Sequence, residues 1–173
     1  TVAFTVGGAS AAGSATVTNV SGDNWTAAFT LASGDTEGAV GFTIDFVDSV
    51  GNAGTQVAST TESSSVTFNK TPTLSRVSID SDNATSIGTN EIAIPGDTVT
   101  VSFTASETIQ VPTVGFTVGG VSAAGPVTVT NTSGNEWTAA LTLASEDTEG
   151  VVAFTINFAD TTGHTGDELN STT

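Results

Sequence analysis

Cysteine and methionine are both missing from this chain, and histidine occurs once, as His164. Without thiols there is no disulfide, no thiolate metal site and no thiol nucleophile. A single histidine leaves acid–base chemistry near neutral pH short of its usual group. Cations are almost absent too. Lys70 and Arg76 stand against 18 Asp and Glu, giving a formal net charge of −16. Nucleic-acid binding needs clustered Lys and Arg to neutralise phosphates and is excluded, and the same balance argues against electrostatic docking on anionic lipid. No apolar run approaches the roughly 18 residues of a membrane span, and no signal-peptide pattern appears. The sequence therefore predicts neither membrane insertion nor an address of its own.

What is present is 173 residues with 37% hydrophobic content and nine Phe. That length supports one medium or two small domains, and the apolar content is too high for a disordered acidic tail. Thr and Ser together make 53 residues, close to a third of the chain. In nearly every segment apolar residues alternate with polar ones, as in a half-buried strand. Val99, Val101 and Phe103 form one such set, and Val114, Phe116 and Val118 another. Trp137, Ala139, Leu141 and Leu143 follow, then Val152, Phe154, Ile156 and Phe158. Thr fills most of the alternate positions, where a β-branched polar side chain suits a strand's solvent face. No segment carries a helical period over ten residues.

Self-comparison shows an internal repeat. Thr1-Val2-Ala3-Phe4-Thr5-Val6-Gly7-Gly8 recurs as Thr113-Val114-Gly115-Phe116-Thr117-Val118-Gly119-Gly120, an offset of 112 residues. Asp35-Thr36-Glu37-Gly38 recurs in the same way as Asp147-Thr148-Glu149-Gly150, and 37 of 55 positions are identical between 1–55 and 113–167. A period this long is a whole domain, longer than the units of a solenoid. The chain divides into a partial unit at 1–70, a linker at 71–73 stiffened by Pro72, and a second unit at 74–173. In the second unit the pattern predicts strands near 74–80, 97–105, 113–118, 126–131, 136–144 and 150–159. A seventh, at Val66-Thr67-Phe68, occurs only in the first unit. Seven short antiparallel strands per unit is the pattern of an immunoglobulin-like β-sandwich. Trp25 and Trp137 share the parity of their apolar neighbours and are expected in the two cores.

On these residues the chain resembles the tandem immunoglobulin-like repeats of very large bacterial surface proteins and adhesins. The resembling segments are the run from Gly96 to Glu107, Asp147-Thr148-Glu149-Gly150, and Asp48-Ser49-Val50-Gly51-Asn52-Ala53-Gly54. The resemblance implies an all-β fold of tandem sandwiches and an extracellular stalk, often stiffened by calcium.

Acidic residues gather in the turns, where Ca²⁺ finds oxygen ligands from several loops. Candidate metal ligands are Asp35, Glu37, Asp48, Asn52, Asp80, Asp82, Asn83, Glu107, Asp147, Glu149 and Asp160. Asp80, Asp82, Asp147 and Glu149 are expected at one pole of their unit, with Glu107 and Asp160 at the other. His164 replaces Asn52 in the second unit, which weakens that position as a ligand. The plain alternative is that Asp and Asn cap turns and keep the surface soluble. No Gly-x-Ser-x-Gly elbow, no Ser/His/Asp set and no implied cleft is present, so the sequence predicts no catalytic residue and no enzyme.

These readings converge on a structural module of an extracellular protein or fibre, with neighbouring repeats or identical subunits as partners. A module that binds glycans or another cell's surface is the alternative, and an exposed Trp pair would favour it. Unit one lacks counterparts of strands 74–80 and 97–105, and unit two lacks a counterpart of 65–69. Phe4, Phe29, Phe42 and Phe46 are therefore expected to be partly uncovered. The expectation is either a window from a longer array or completion by strand donation from a neighbour.

Overall fold

The computed structural model describes residues 1–83, 85–87 and 90–173. Among them there is no helix, and the chain separates into two compact units, Thr1–Lys70 and Thr71–Thr173. All strand pairings are antiparallel.

The second unit is the fuller one. Its strands are β7 (Leu74–Ser81), β8 (Ser86–Ile87), β9 (Asn90–Glu91), β10 (Thr98–Ala105), β11 (Thr113–Val118), β12 (Val121–Ser122), β13 (Val127–Ser133), β14 (Glu136–Thr142) and β15 (Val152–Asn157). Two sheets, ordered β13-β14-β10-β7 and β12-β11-β15, pack face to face, and β8 and β9 form a small hairpin apart from them. Along β10 the inward Val99, Val101, Phe103 and Ala105 are buried while the intervening Thr and Ser are half-buried. The pleat sends alternate side chains to opposite faces, so strict alternation in sequence becomes one wall of a core. Trp137 and Leu141 extend that wall from β14, and Phe116, Phe154 and Ile156 face it from the other sheet. The result is a β-sandwich.

The first unit comprises β1 (Val2–Val6), β2 (Ala9–Ser10), β3 (Thr16–Ser21), β4 (Asn24–Ala28), β5 (Gly38–Ile44) and β6 (Thr67–Phe68). β1 pairs with β5 from Val2–Ile44 to Val6–Val40, and β11 pairs with β15 from Val114–Ile156 to Val118–Val152. These registers coincide at the 112-residue offset. The hairpins β3–β4 and β13–β14 coincide as well, down to a bulge at Asn19/Ser21 and at Asn131/Ser133. In each, the Asn side-chain amide donates to the carbonyl of the turn glycine at 2.8 Å, from Asn19 to Gly22 and from Asn131 to Gly134.

The units differ in cover. In the first, β3 and β4 form a two-stranded sheet, and none of the described residues stands in the places of β10 and β7. Among the described residues Val6 is the one apolar side chain of that unit that is buried. Phe4 and Phe29 stack at 4.4 Å between ring centroids but stay half-buried, as does Phe42, and Phe46 is exposed. Trp25 corrects the expectation of two buried tryptophans: it is 64% exposed, against 7% for Trp137. Trp137 lies opposite Phe103 of β10, and no such strand covers Trp25.

Glycines fix where the sheet and its acidic turn meet. A Cβ on Gly150, whose φ is +152°, would stand 2.6 Å from the Cα of Gly119. The repeated Gly-Gly and Asp-Thr-Glu-Gly motifs thus meet backbone to backbone, and Gly7 and Gly38 do the same in the first unit. Pro72, expected in the linker, is fully buried within the second unit. Next to it, Thr73 exchanges two bonds with Ser106, through the hydroxyl at 3.0 Å and the amide at 2.9 Å.

Candidate functional site

Turns that bend sharply leave backbone N–H groups without partners, and a carboxylate is the strongest side-chain acceptor available to them. Most of the acidic candidates serve that purpose. Asp35 is buried and accepts the amides of Ala12 and Ala32, each at 2.7 Å on a different oxygen. Asp147 repeats the arrangement with Ala124 at 2.7 Å and Ala144 at 2.8 Å. Chiefly the Ala32 and Ala12 amides, with a weaker attraction from Lys70, hold the Asp35 carboxyl below its ordinary value. Glu37 accepts the amide of Lys70 at 2.6 Å.

The loop after β5 closes on Asp48. Its Oδ1 accepts the amides of Val50 and Asn52, and its Oδ2 accepts the Asn52 side-chain amide at 2.8 Å. Asn52 is the main reason that the Asp48 carboxyl is lowered. In the second unit Asp160 holds the same loop through the amides of Thr162 and His164, and the Thr162 hydroxyl supplies a side-chain bond at 2.8 Å. The exchange of Asn52 for His164 is thus accompanied by an exchange of Val50 for Thr162, and a side-chain donor to the aspartate is kept.

Asp82 accepts the amide of Thr98 at 2.8 Å. Asn83 donates its side-chain amide to Asp97 Oδ2 at 2.6 Å, and the same oxygen accepts the Ile94 amide at 2.7 Å. Asn83 first and Ile94 second hold the Asp97 carboxyl low. Asp97 was not among the expected ligands. Its place in Gly96-Asp97-Thr98, just before a strand, marks it as a turn acceptor in the sequence itself.

Some candidates are brought together. The segment holding Glu107 meets the Asp160 loop: Ile109 bridges Asp160, and the Gln110 side chain donates to the Asp160 carbonyl at 2.9 Å. At the opposite end, Asp80, Asp147 and Glu149 line one groove of about 1000 Å³ together with Glu91. Its apolar lining includes Ile79, Val99, Val118 and Leu143. Asp80 accepts the Ser78 hydroxyl there, and Glu91 accepts the Ser81 amide. The groove runs beside the free edge of β15, near Gly150, Val151 and Val152. Among the described residues no three acidic or histidine side chains gather around a common point that would hold a metal ion.

No protein-family model, no curated protein and no solved structure matches this chain.

Proposed function

We propose that this chain is a structural repeat module of an extracellular surface protein or fibre, such as an adhesin stalk or filament subunit. The observation that carries the reading is the equivalence of the two units, whose sheets and hairpins pair in the same register at an offset of 112 residues. A module used twice in succession sets a length. The strand order supports an immunoglobulin-like kind. Lettered along one composite repeat, β7, β10, β11, β13, β14, β15 and the equivalent of β6 are A to G. One sheet is then A-B-E-D and the other C-F-G with the two-residue β12 added outside C, and apart from β12 this is the order of immunoglobulin constant-type domains.

In this reading the partners are neighbouring repeats or identical subunits, joined head to tail with strands completing open sheets. The chain has no catalytic task, does not insert in a membrane and does not bind nucleic acid. Calcium enters as a candidate stiffener. Solution scattering of the chain and of versions lengthened by one and by two 112-residue repeats tests the reading. The maximum dimension should grow by a constant step per repeat, and a compact particle that merely gains volume would overturn it. Unchanged dimensions and melting temperature with chelator would remove calcium from the proposal.

A second reading, a module that binds glycans through an aromatic face, has one exposed tryptophan in its favour, Trp25, in place of the exposed pair, since Trp137 is buried. Specific retention of the chain on a glycan array, lost in Trp25→Ala, would place this reading first.

A further inference from the structure

We infer that the acidic groove of the second unit is the seat of an added β-strand with the chemistry of residues 66–70, Val-Thr-Phe-Asn-Lys, laid antiparallel along β15. The inference rests on the reading of the two units as one module and deepens it by naming the partner segment, its register and its contacts.

The first unit shows the occupied form. There β6 pairs with the start of β5, Thr67 opposite Ala39 and Phe68 opposite Gly38. The Val40 amide donates to the Val66 carbonyl at 2.8 Å, and Glu37 takes the Lys70 amide. The Lys70 ammonium lies 6.0 Å from the Phe68 ring centroid and lowers the pKa of the nearby Asp35. Each receiving group has a counterpart in the second unit at the 112-residue offset: Gly150, Val151, Val152, Glu149 and Asp147. All five line the groove.

The edge of β15 is also divided as the edge of β5 is. Ile156 exchanges two bonds with Leu169, as Ile44 does with Val57. Among the described residues that leaves the other half, from Gly150 to Val152, as the open stretch, with Val151 79% exposed. An unpaired strand edge is a template for another strand. Here the template has side-chain preferences. Buried Val99, Val118 and Leu143 offer an apolar seat, and Asp80, Glu91, Asp147 and Glu149 favour a cation at the end of the incoming strand. The pairing sets residue 67 of that strand opposite Val151 and residue 68 opposite Gly150. Glu149 receives the amide of residue 70, and the lysine reaches Asp147.

The experiment is titration of the whole chain with a synthetic peptide of residues 63–71, followed by calorimetry and by amide hydrogen exchange. The peptide should bind saturably and slow exchange at Val152. A peptide of reversed sequence should do neither. Replacing the Phe of the peptide by Ala should weaken binding at least about tenfold, the loss expected for one buried aromatic ring. Glu149→Gln in the chain should weaken it several-fold without changing the exchange of core amides in β10. Absence of saturable binding, equal binding of the reversed peptide, or protection at Val40 in place of Val152 would each overturn the inference. If the peptide fails while scattering still grows stepwise per repeat, only the strand assignment falls. If stepwise growth fails, the module reading falls whatever the peptide does.

Discussion

Asp147 shows what the acidic turns contribute at the level of single side chains. Both its oxygens hold backbone amides, so its removal leaves two donors to find other partners. Asp147→Ala should cost about 1.5–3 kcal/mol, the range for hydrogen bonds to a charged group. Urea midpoints read the loss, and an equal loss with calcium and with chelator would assign it to the two amide bonds and not to a bound metal. Acid should act on the same kind of contact. Asp35, Asp48 and Asp97 all have carboxyls held below the usual 3.8 by donated hydrogen bonds. A group lowered in the folded state binds protons more readily when unfolded, so its contribution is complete above pH 3.8 and is lost as pH falls through the lower folded value. Denaturation midpoints should therefore drop steeply below about pH 4, and Asp97→Asn should flatten part of that drop.

At the level of elements, the repeated motifs turn out to be joints. Gly150 tolerates no side chain against Gly119, and its φ of +152° is hostile to any other residue. Gly150→Ala should destabilise the second unit by about 1–3 kcal/mol, measured by thermal melting. The strands themselves were legible in the sequence because burial on one face forces an alternation that anyone can count. β10 and β14 fall within two residues of expectation. The hairpin of β8 and β9 was not legible, since two-residue strands are too short to show a period. Trp25 misled for another reason. Parity says which face a side chain takes, but burial needs a strand on the far side, and β4 has none where β14 has β10. The turn carboxylates were legible as a set, because ligand chemistry and turn chemistry draw on the same residues. The backbone amides that they accept could not be read from the sequence.

For the molecule as a whole, the unequal burial of the two units predicts unequal stability. The second unit holds the continuous apolar cluster, whereas the first leaves Phe4, Phe29, Phe42 and Phe68 half-buried and Phe46 exposed. Full burial of a Phe is worth about 1.5–3 kcal/mol against a domain stability of roughly 5–15 kcal/mol. Calorimetry should therefore resolve two transitions, the first unit melting earlier. Amide exchange should assign the lower transition to β1–β5, and a single cooperative transition would contradict this.

The scarcity of cations has a consequence for proteolysis. Proteases that cut after lysine or arginine have only two bonds to attack in the whole chain. One follows Arg76, in the middle of β7 and next to the buried Val77, so that strand must open before it can be cut. The other follows Lys70, at the boundary between the two units. A cut there severs the chain between the two units and leaves the sheets of each unbroken.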